Sequence, residues 1–346
     1  MSSANSKVWL NRFAWFTAAA TVLLICSGGM VTSKGVGLAV PDWPTTFGYN
    51  MFLFPFSKWV GGIFFEHTHR LIASVVGFLT IILAGWLWLA DSRRWIRGLG
   101  LAALGAVILQ GVLGGLRVIM LKDQIGIFHA CVAQAFLGLL VLIALVTSGR
   151  WETLHARAPS EAMTRIRNIA LTTAIAIYIQ LALGATMRHQ HRDLAILDFP
   201  TAYGAWIPDT SAKAIAAINA WRDTQGLSDV SPFQIWLQMV HRFGAGLIAV
   251  GAIAIWLAVR RTGTYVPWLR NLTNMLVGLV LCQIGLGAWT IWSNKAADVA
   301  TTHVAFGALI FAVAVTICAV CYAVARGSSR ANPPEPAVPV SLSATR

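Results

Sequence analysis

Eight runs of about twenty apolar residues, joined by polar segments, leave this chain few places to fold other than a lipid bilayer. A helix needs ~20 such residues to cross the ~30 Å hydrocarbon layer. The runs fall at about 10–32, 67–90, 97–119, 126–148, 168–188, 236–259, 270–292 and 301–325. Charged residues make up only 11% of the chain, against about 25% in soluble domains, which excludes an ordinary soluble globule and a disordered chain. The runs do not alternate apolar with polar residues, which excludes a lipid-facing β-barrel. The expected class is all-α, a polytopic membrane protein with eight transmembrane helices.

The net charge of +13 does not mark a nucleic-acid surface, because it is dispersed in the segments between apolar runs. Placing the N-terminus in the cytoplasm puts 15 of the 26 basic residues on the inner side with only four acids, as cytoplasmic loops prefer. Both termini are then cytoplasmic. The first run has no small-residue cleavage site at the expected distance and reads as a retained helix rather than a signal peptide. The five cysteines, Cys318 and Cys321 included, lie within apolar runs and read as small apolar residues. The Pro/Ser-rich segment 326–346 reads as a disordered tail.

The chain repeats itself. Pro41-Asp42-Trp43-Pro44-Thr45-Thr46-Phe47-Gly48 parallels Leu197-Asp198-Phe199-Pro200-Thr201-Ala202-Tyr203-Gly204, and His69-Arg70 parallels His241-Arg242. Gln110-Gly111 parallels Gln283-Ile284 within longer Gly-containing motifs, and His129 parallels His303. The offsets are 156, 172, 173 and 174. Each half has four spans, so both run in the same sense. A pseudo-two-fold axis along the membrane normal is expected, with two four-helix bundles over 1–150 and 151–325. The first outer loop of each half is long, 33–66 or 189–235. In the second, Ser211 is expected to cap an amphipathic helix near 211–222.

Ionisable residues within a bilayer default to functional roles, and four histidines, His69, His129, His241 and His303, recur at matching helix ends. Two imidazoles on neighbouring helices suit iron, copper or zinc, and the absence of further ligands in either pair favours heme iron over zinc. Arg70 and Arg242 are candidates for heme propionates, or else interface anchors. Glu66 stands three residues before His69, on one helical face with it, where the second half has Gln238. A carboxyl beside one cofactor and an amide beside the other suggests one reactive and one electron-transfer site, the alternative being an ion pair with Lys58 or Arg70. Asp42 and Asp198 read as turn caps, the alternative being hydrogen bonds to propionates. His67 reads as a loop-edge residue, His155 as solvated, and His189 and His191 as interfacial.

With these residues assembled, the chain resembles the heme A synthase family of bacteria and mitochondria over about 10–325. Phe65-Glu66-His67-Thr68-His69-Arg70-Leu71 resembles the family's Glu-x-x-His-Arg. Pro41-Asp42-Trp43-Pro44, Gln110-Gly111, Phe128-His129 and His241-Arg242 match further motifs. The resemblance implies substrate heme O between His69 and His129, heme b between His241 and His303, and Glu66 assisting oxidation of a ring methyl to the formyl of heme A. It implies a heme O synthase (a protoheme farnesyltransferase) as supplier and cytochrome oxidase assembly as destination. Some members carry a cysteine pair in an outer loop; residues 33–66 and 189–235 have none, which places the likeness with a cysteine-free branch. The few residues before the first span suggest a bacterial inner membrane. A di-heme b-type electron carrier or quinol oxidoreductase subunit also explains the four histidines, though not the Glu66/Gln238 difference. A repeat-built transporter is the third reading. Monomer and small homo-oligomer are both compatible with the sequence.

Overall fold

A computed structural model describes residues 3–154, 161–189, 194–262 and 266–326; His155, His191 and the segment 327–346 lie outside them. Ten α-helices are present among the described residues: α1 (Ser3–Ser33), α2 (Gly61–Ala90), α3 (Arg94–Met120), α4 (Asp123–Val146), α5 (Gly149–Leu154), α6 (Glu161–His189), α7 (Ala212–Thr224), α8 (Pro232–Arg261), α9 (Pro267–Trp292) and α10 (Ala297–Arg326). All but α5 and α7 are long and apolar enough to cross a membrane. Helices solve the central problem of a spanning chain, since they satisfy every backbone N–H and C=O internally where no water is available.

The helices outrun the apolar windows. Helix α2 begins at Gly61 and α6 at Glu161, six and seven residues before the expected spans. A hydropathy window stops at the first polar residues, whereas backbone hydrogen bonding carries the helix past them. The histidines expected to open their helices therefore stand well inside, His69 about two turns into α2. Ser211 caps α7 as expected, its hydroxyl accepting from Ala214 N at 3.3 Å.

Each half closes on itself in the same order. Helix α1 packs on α2, α2 on α3, α3 on α4 and α4 on α1; α6 packs on α8, α8 on α9, α9 on α10 and α10 on α6. The two groups meet through α1–α10, α4–α6 and α4–α10. Helix association in lipid relies on close packing and hydrogen bonds rather than water exclusion, and the seam uses both. Gly138 of α4 lies under the Phe311 ring of α10, so close that a Cβ there would stand 2.9 Å from Phe311 Cε1. Tyr178 of α6 donates to Cys131 O of α4 at 3.2 Å. Within the first half, Asn11 of α1 likewise ties α4 by donating to Ala144 O at 2.5 Å and Thr147 Oγ1 at 3.1 Å.

The Gly138 contact yields a stability test. Gly138→Leu should cost about 1–3 kcal/mol through overpacking and lower the unfolding temperature of the detergent-purified chain. Gly105→Ala, where a Cβ meets open space, should not lower it.

Candidate functional site

Two outer loops shape the site, and each is fastened to the helix that follows it by the same bonds. Asp42 closes its own turn by accepting from Thr45 Oγ1, Phe47 N (2.7 Å) and Gly48 N (2.9 Å). Asp198 repeats this with Thr201 Oγ1, Tyr203 N and Gly204 N at 2.7, 2.8 and 3.0 Å. Both are turn caps, as the sequence suggested. Arg70 then donates through Nη1 to Asp42 O (2.7 Å) and Thr45 O (3.1 Å), and through Nη2 to Val40 O (2.9 Å). Arg242 donates to Asp198 O at 2.6 Å and Thr201 O at 2.8 Å.

Glu66 and Gln238 belong to the same fastening. Glu66 accepts from Val40 N (2.9 Å) through Oε2 and pairs with Arg70 Nη2 (2.7 Å) through Oε1. Gln238 accepts from Ile196 N at 2.9 Å and donates to Ile196 O at 3.0 Å. One amide thus does alone what the Glu66–Arg70 pair does together, because an amide carries both a donor and an acceptor. The ion pair foreseen as the alternative role for Glu66 is formed, with Arg70 rather than Lys58. Both Glu66 and Gln238 also border the cavity described below.

His67 is not a loop-edge residue. It lies within α2, fully buried, with Nδ1 3.2 Å from Thr46 Oγ1 and its ring between Phe54 and Trp59. The helix starts earlier than hydropathy suggested, and the aromatic loop folds back over it. His189 is likewise buried, against Gly126 of α4.

Between the loops and the helices lies a cavity of about 1050 Å³ bordered by His69, His129, His241 and His303 together. That is at the top of the ~300–1,000 Å³ range of single-ligand pockets. Each histidine rests its Cε1 edge on a glycine of a neighbouring helix. An ideal Cβ at Gly28 of α1 would lie 2.8 Å from His69 Cε1, and at Gly114 of α3 3.5 Å from His129 Cε1. At Gly184 of α6 and Gly287 of α9 it would lie 3.3 Å from His241 and His303 Cε1 respectively. These glycines obey the repeat offsets of 156 and 173. The Nδ1 atoms of all four histidines are buried without a hydrogen-bond partner.

Glutamines steady three of these histidines by donating to their main-chain carbonyls. Gln110 Nε2 reaches His129 O (2.9 Å), Gln283 Nε2 reaches His303 O (2.9 Å) and Gln180 Nε2 reaches His241 O (2.7 Å). This explains the repeated Gln in α3 and α9. Among the described residues no group of three His, Cys, Asp or Glu side chains gathers as a metal cluster. The donors available here are paired imidazoles, a set that suits a metal whose other positions are filled by a macrocycle. Cavity, glycine clearances and imidazoles that face a common space thus suit a flat macrocyclic group such as heme.

Arg117 and Arg188, which the sequence reading passed over, also border the cavity. Their signal was an arginine within an otherwise apolar stretch of α3 or α6.

With this geometry in view, the relatives are informative. A family model described as COX15-CtaA, cytochrome oxidase assembly protein, matches residues 11–315. The chain belongs to that family. It is similar to a heme A synthase of Shouchella clausii, 29% identical over 70% of this chain and 79% of the relative. One of Rhizorhabdus wittichii is 28% identical over 72% and 69%. One of Shewanella oneidensis is 24% identical over 89% and 94%.

The turn caps of this family member predict a pH response. Burial raises the Asp42 and Asp198 carboxyls, but the bonds from Gly48 and Gly204 N–H, the threonine hydroxyls and the remaining loop amides outweigh it and hold both below the usual range. A lowered folded pKa means that the stabilisation is complete above the unfolded value of about 3.9 and is lost as pH falls through the folded one. Protease nicking of the outer loops should be constant from about pH 7 to 5 and rise below about 3.9. Asp198→Ala should raise nicking of the second loop already at neutral pH.

Proposed function

We propose that this chain is a heme A synthase, a membrane oxidoreductase that converts the ring methyl of heme O to the formyl of heme A for cytochrome oxidase assembly. Family membership supports this reading, as do relatives called heme A synthase. The observation that carries it is one cavity bordered by two histidine pairs, each imidazole set on a glycine.

In this reading the halves 1–150 and 151–325 are two four-helix sites. His69 and His129 would hold substrate heme O, and His241 and His303 would hold heme b. Heme b, when bound, supplies one-electron transfer. An asymmetry of the cavity supports putting the tailed substrate in the first half. Gly77, Ile81, Leu104 and Ile108 extend it down the α2–α3 seam, whereas the repeat-related Ala249, Ile253, Val277 and Leu281 do not border it. That apolar extension suits a farnesyl chain. Glu66, on the wall beside His69, places a carboxylate near the substrate; Oε1, already held by Arg70, and Oε2, held by Val40 N, offer acceptor atoms for a proton released at the ring. Arg70 and Arg242 keep the loops closed over the propionate-bearing ends. The protein would sit in a bacterial inner membrane with both termini cytoplasmic, supplied by a heme O-forming farnesyltransferase.

The decisive experiment expresses the chain beside such a farnesyltransferase and separates the extracted hemes by chromatography with mass detection. A formyl-bearing heme that depends on the chain is expected. Heme b alone with heme O unchanged would favour a di-heme electron carrier, and a folded chain devoid of heme would end both readings. Glu66→Gln should keep heme bound while product falls at least a hundredfold; unchanged turnover would remove Glu66 from the chemistry. In a His69→Ala background, which removes the first-half pair, His241→Ala should abolish the low-spin bis-imidazole spectrum of heme b, and survival of that spectrum would refute the His241–His303 pair.

A further inference from the structure

We propose that Arg117 binds a carboxylate of the macrocycle held between His69 and His129, and so fixes which edge of the ring turns toward Glu66. The inference rests on the reading of that half as a heme site. It begins from a vacancy among the cations. Arg70, the sequence candidate for this task, has both Nη atoms occupied by Val40, Asp42 and Thr45 carbonyls and by Glu66. Arg188 donates to Gly29 O and to Ser33 Oγ across the seam. Arg117 borders the same cavity; among the described residues no hydrogen bond engages its guanidinium, and the Glu66 and Asp123 carboxylates attract it from beyond ion-pair distance. Its guanidinium rests against Gly37 of the first loop, with Nη2 and Nη1 2.9 and 3.0 Å from where a Cβ would stand. It acts electrostatically on both His69 and His129.

The repeat sharpens the point. The second-half counterpart of Arg117 is Thr290, and the first-half counterpart of Arg188 is Thr32, by the offsets of 173 and 156. All four border the cavity. The halves have therefore exchanged arginine and threonine between their first and third helices. Besides Arg70 or Arg242, each keeps one guanidinium bordering the cavity; that of Arg188 is anchored to α1 through Nη2, whereas no hydrogen bond holds that of Arg117 among the described residues. A guanidinium stays charged at any relevant pH, and an ionised group within a bilayer protein faces a cavity and pairs there. A porphyrin carboxylate, which accepts a forked pair of bonds from arginine, is the partner this cavity would bring to it.

The test uses the full-length chain in a His303→Ala background, purified from a heme-deficient host, so that the first-half site alone can form a bis-imidazole complex. Iron protoporphyrin and its dimethyl ester are titrated in turn, read by the bis-imidazole absorption bands. Free carboxylates should bind about ten- to hundredfold more tightly than the ester. Arg117→Thr, which installs the residue of the other half, should remove most of that preference while leaving ester affinity unchanged, and Arg117→Lys should retain part of it. The ratio of the two affinities cancels a folding defect, which would weaken both probes alike. A wild-type preference surviving in Arg117→Thr overturns the proposal, as does the absence of any preference in the parent, and both leave the heme reading standing. Failure of the parent to bind either porphyrin would overturn the heme reading and this inference with it.

Discussion

The contact of each imidazole edge with a glycine sets the spacing on which the rest of the molecule depends. Gly28, Gly184 and Gly287 let a ring lie on the neighbouring backbone where a Cβ would crowd it, and at Gly114 a Cβ would just come into contact with the ring. A histidine pair facing a common space requires helices far enough apart to leave a cavity, yet held tightly enough to stay a bundle. The glycines reconcile these demands, since they allow the ring to be set back toward the backbone and leave the space beyond it free. The helix seams elsewhere use the ordinary device of small residues under rings, as at Gly138 beneath Phe311, and so bear the load the cavity cannot.

The second dependence is the covering of the cavity's outer end. An outer loop has no helix to satisfy its backbone, so its carbonyls and amides need partners from elsewhere. Arg70 and Arg242 supply donors to it, Asp42 and Asp198 supply acceptors, and Glu66 or Gln238 completes the set at Val40 or Ile196. Most of these bonds end on main-chain atoms. Removing a member of the buried Glu66–Arg70 pair would therefore leave both an unpaired charge and unsatisfied backbone, a cost of about 3–5 kcal/mol. A carboxylate embedded in such a fastening is held in place before any substrate arrives.

Much of this was readable from the chain, for physical reasons that differ by element. The eight spans declared themselves because a bilayer tolerates only long apolar runs, and the four histidines because they interrupt those runs at repeated intervals. Helix starts were misjudged, since Gly61–Glu66 is helical without being uniformly apolar. That error made His67 look peripheral when it is buried under Phe54 and Trp59. The fastening was invisible because its targets, such as Val40 O and Ile196 N, are backbone atoms whose side chains carry no signal. The role expected of Arg70 and Arg242 toward propionates was drawn from charge and position alone, and their many loop carbonyls could only be seen in three dimensions.

Because the fastening is made largely through main-chain atoms, it constrains the two halves to one architecture while leaving the cavity wall free to diverge. Replacing the Glu66–Arg70 arrangement by Gln238 preserves the hold on the loop residue, yet it exchanges a charged wall for a neutral one. Moving the cavity-facing guanidinium from α6 to α3 preserves its level while freeing its donors. Deepening the cavity past Gly77 along α2 and α3 touches no loop bond at all. These three differences all fall in the first half, and each adds something a reacting, tailed, carboxylate-bearing substrate would use: an acceptor for protons, a cation for orientation and an apolar path. The second half, with its amide and without that apolar extension, would suit a macrocycle held permanently. On the proposed reading, a repeated scaffold would thus separate two tasks by changing its walls while the frame that positions the histidines stays the same.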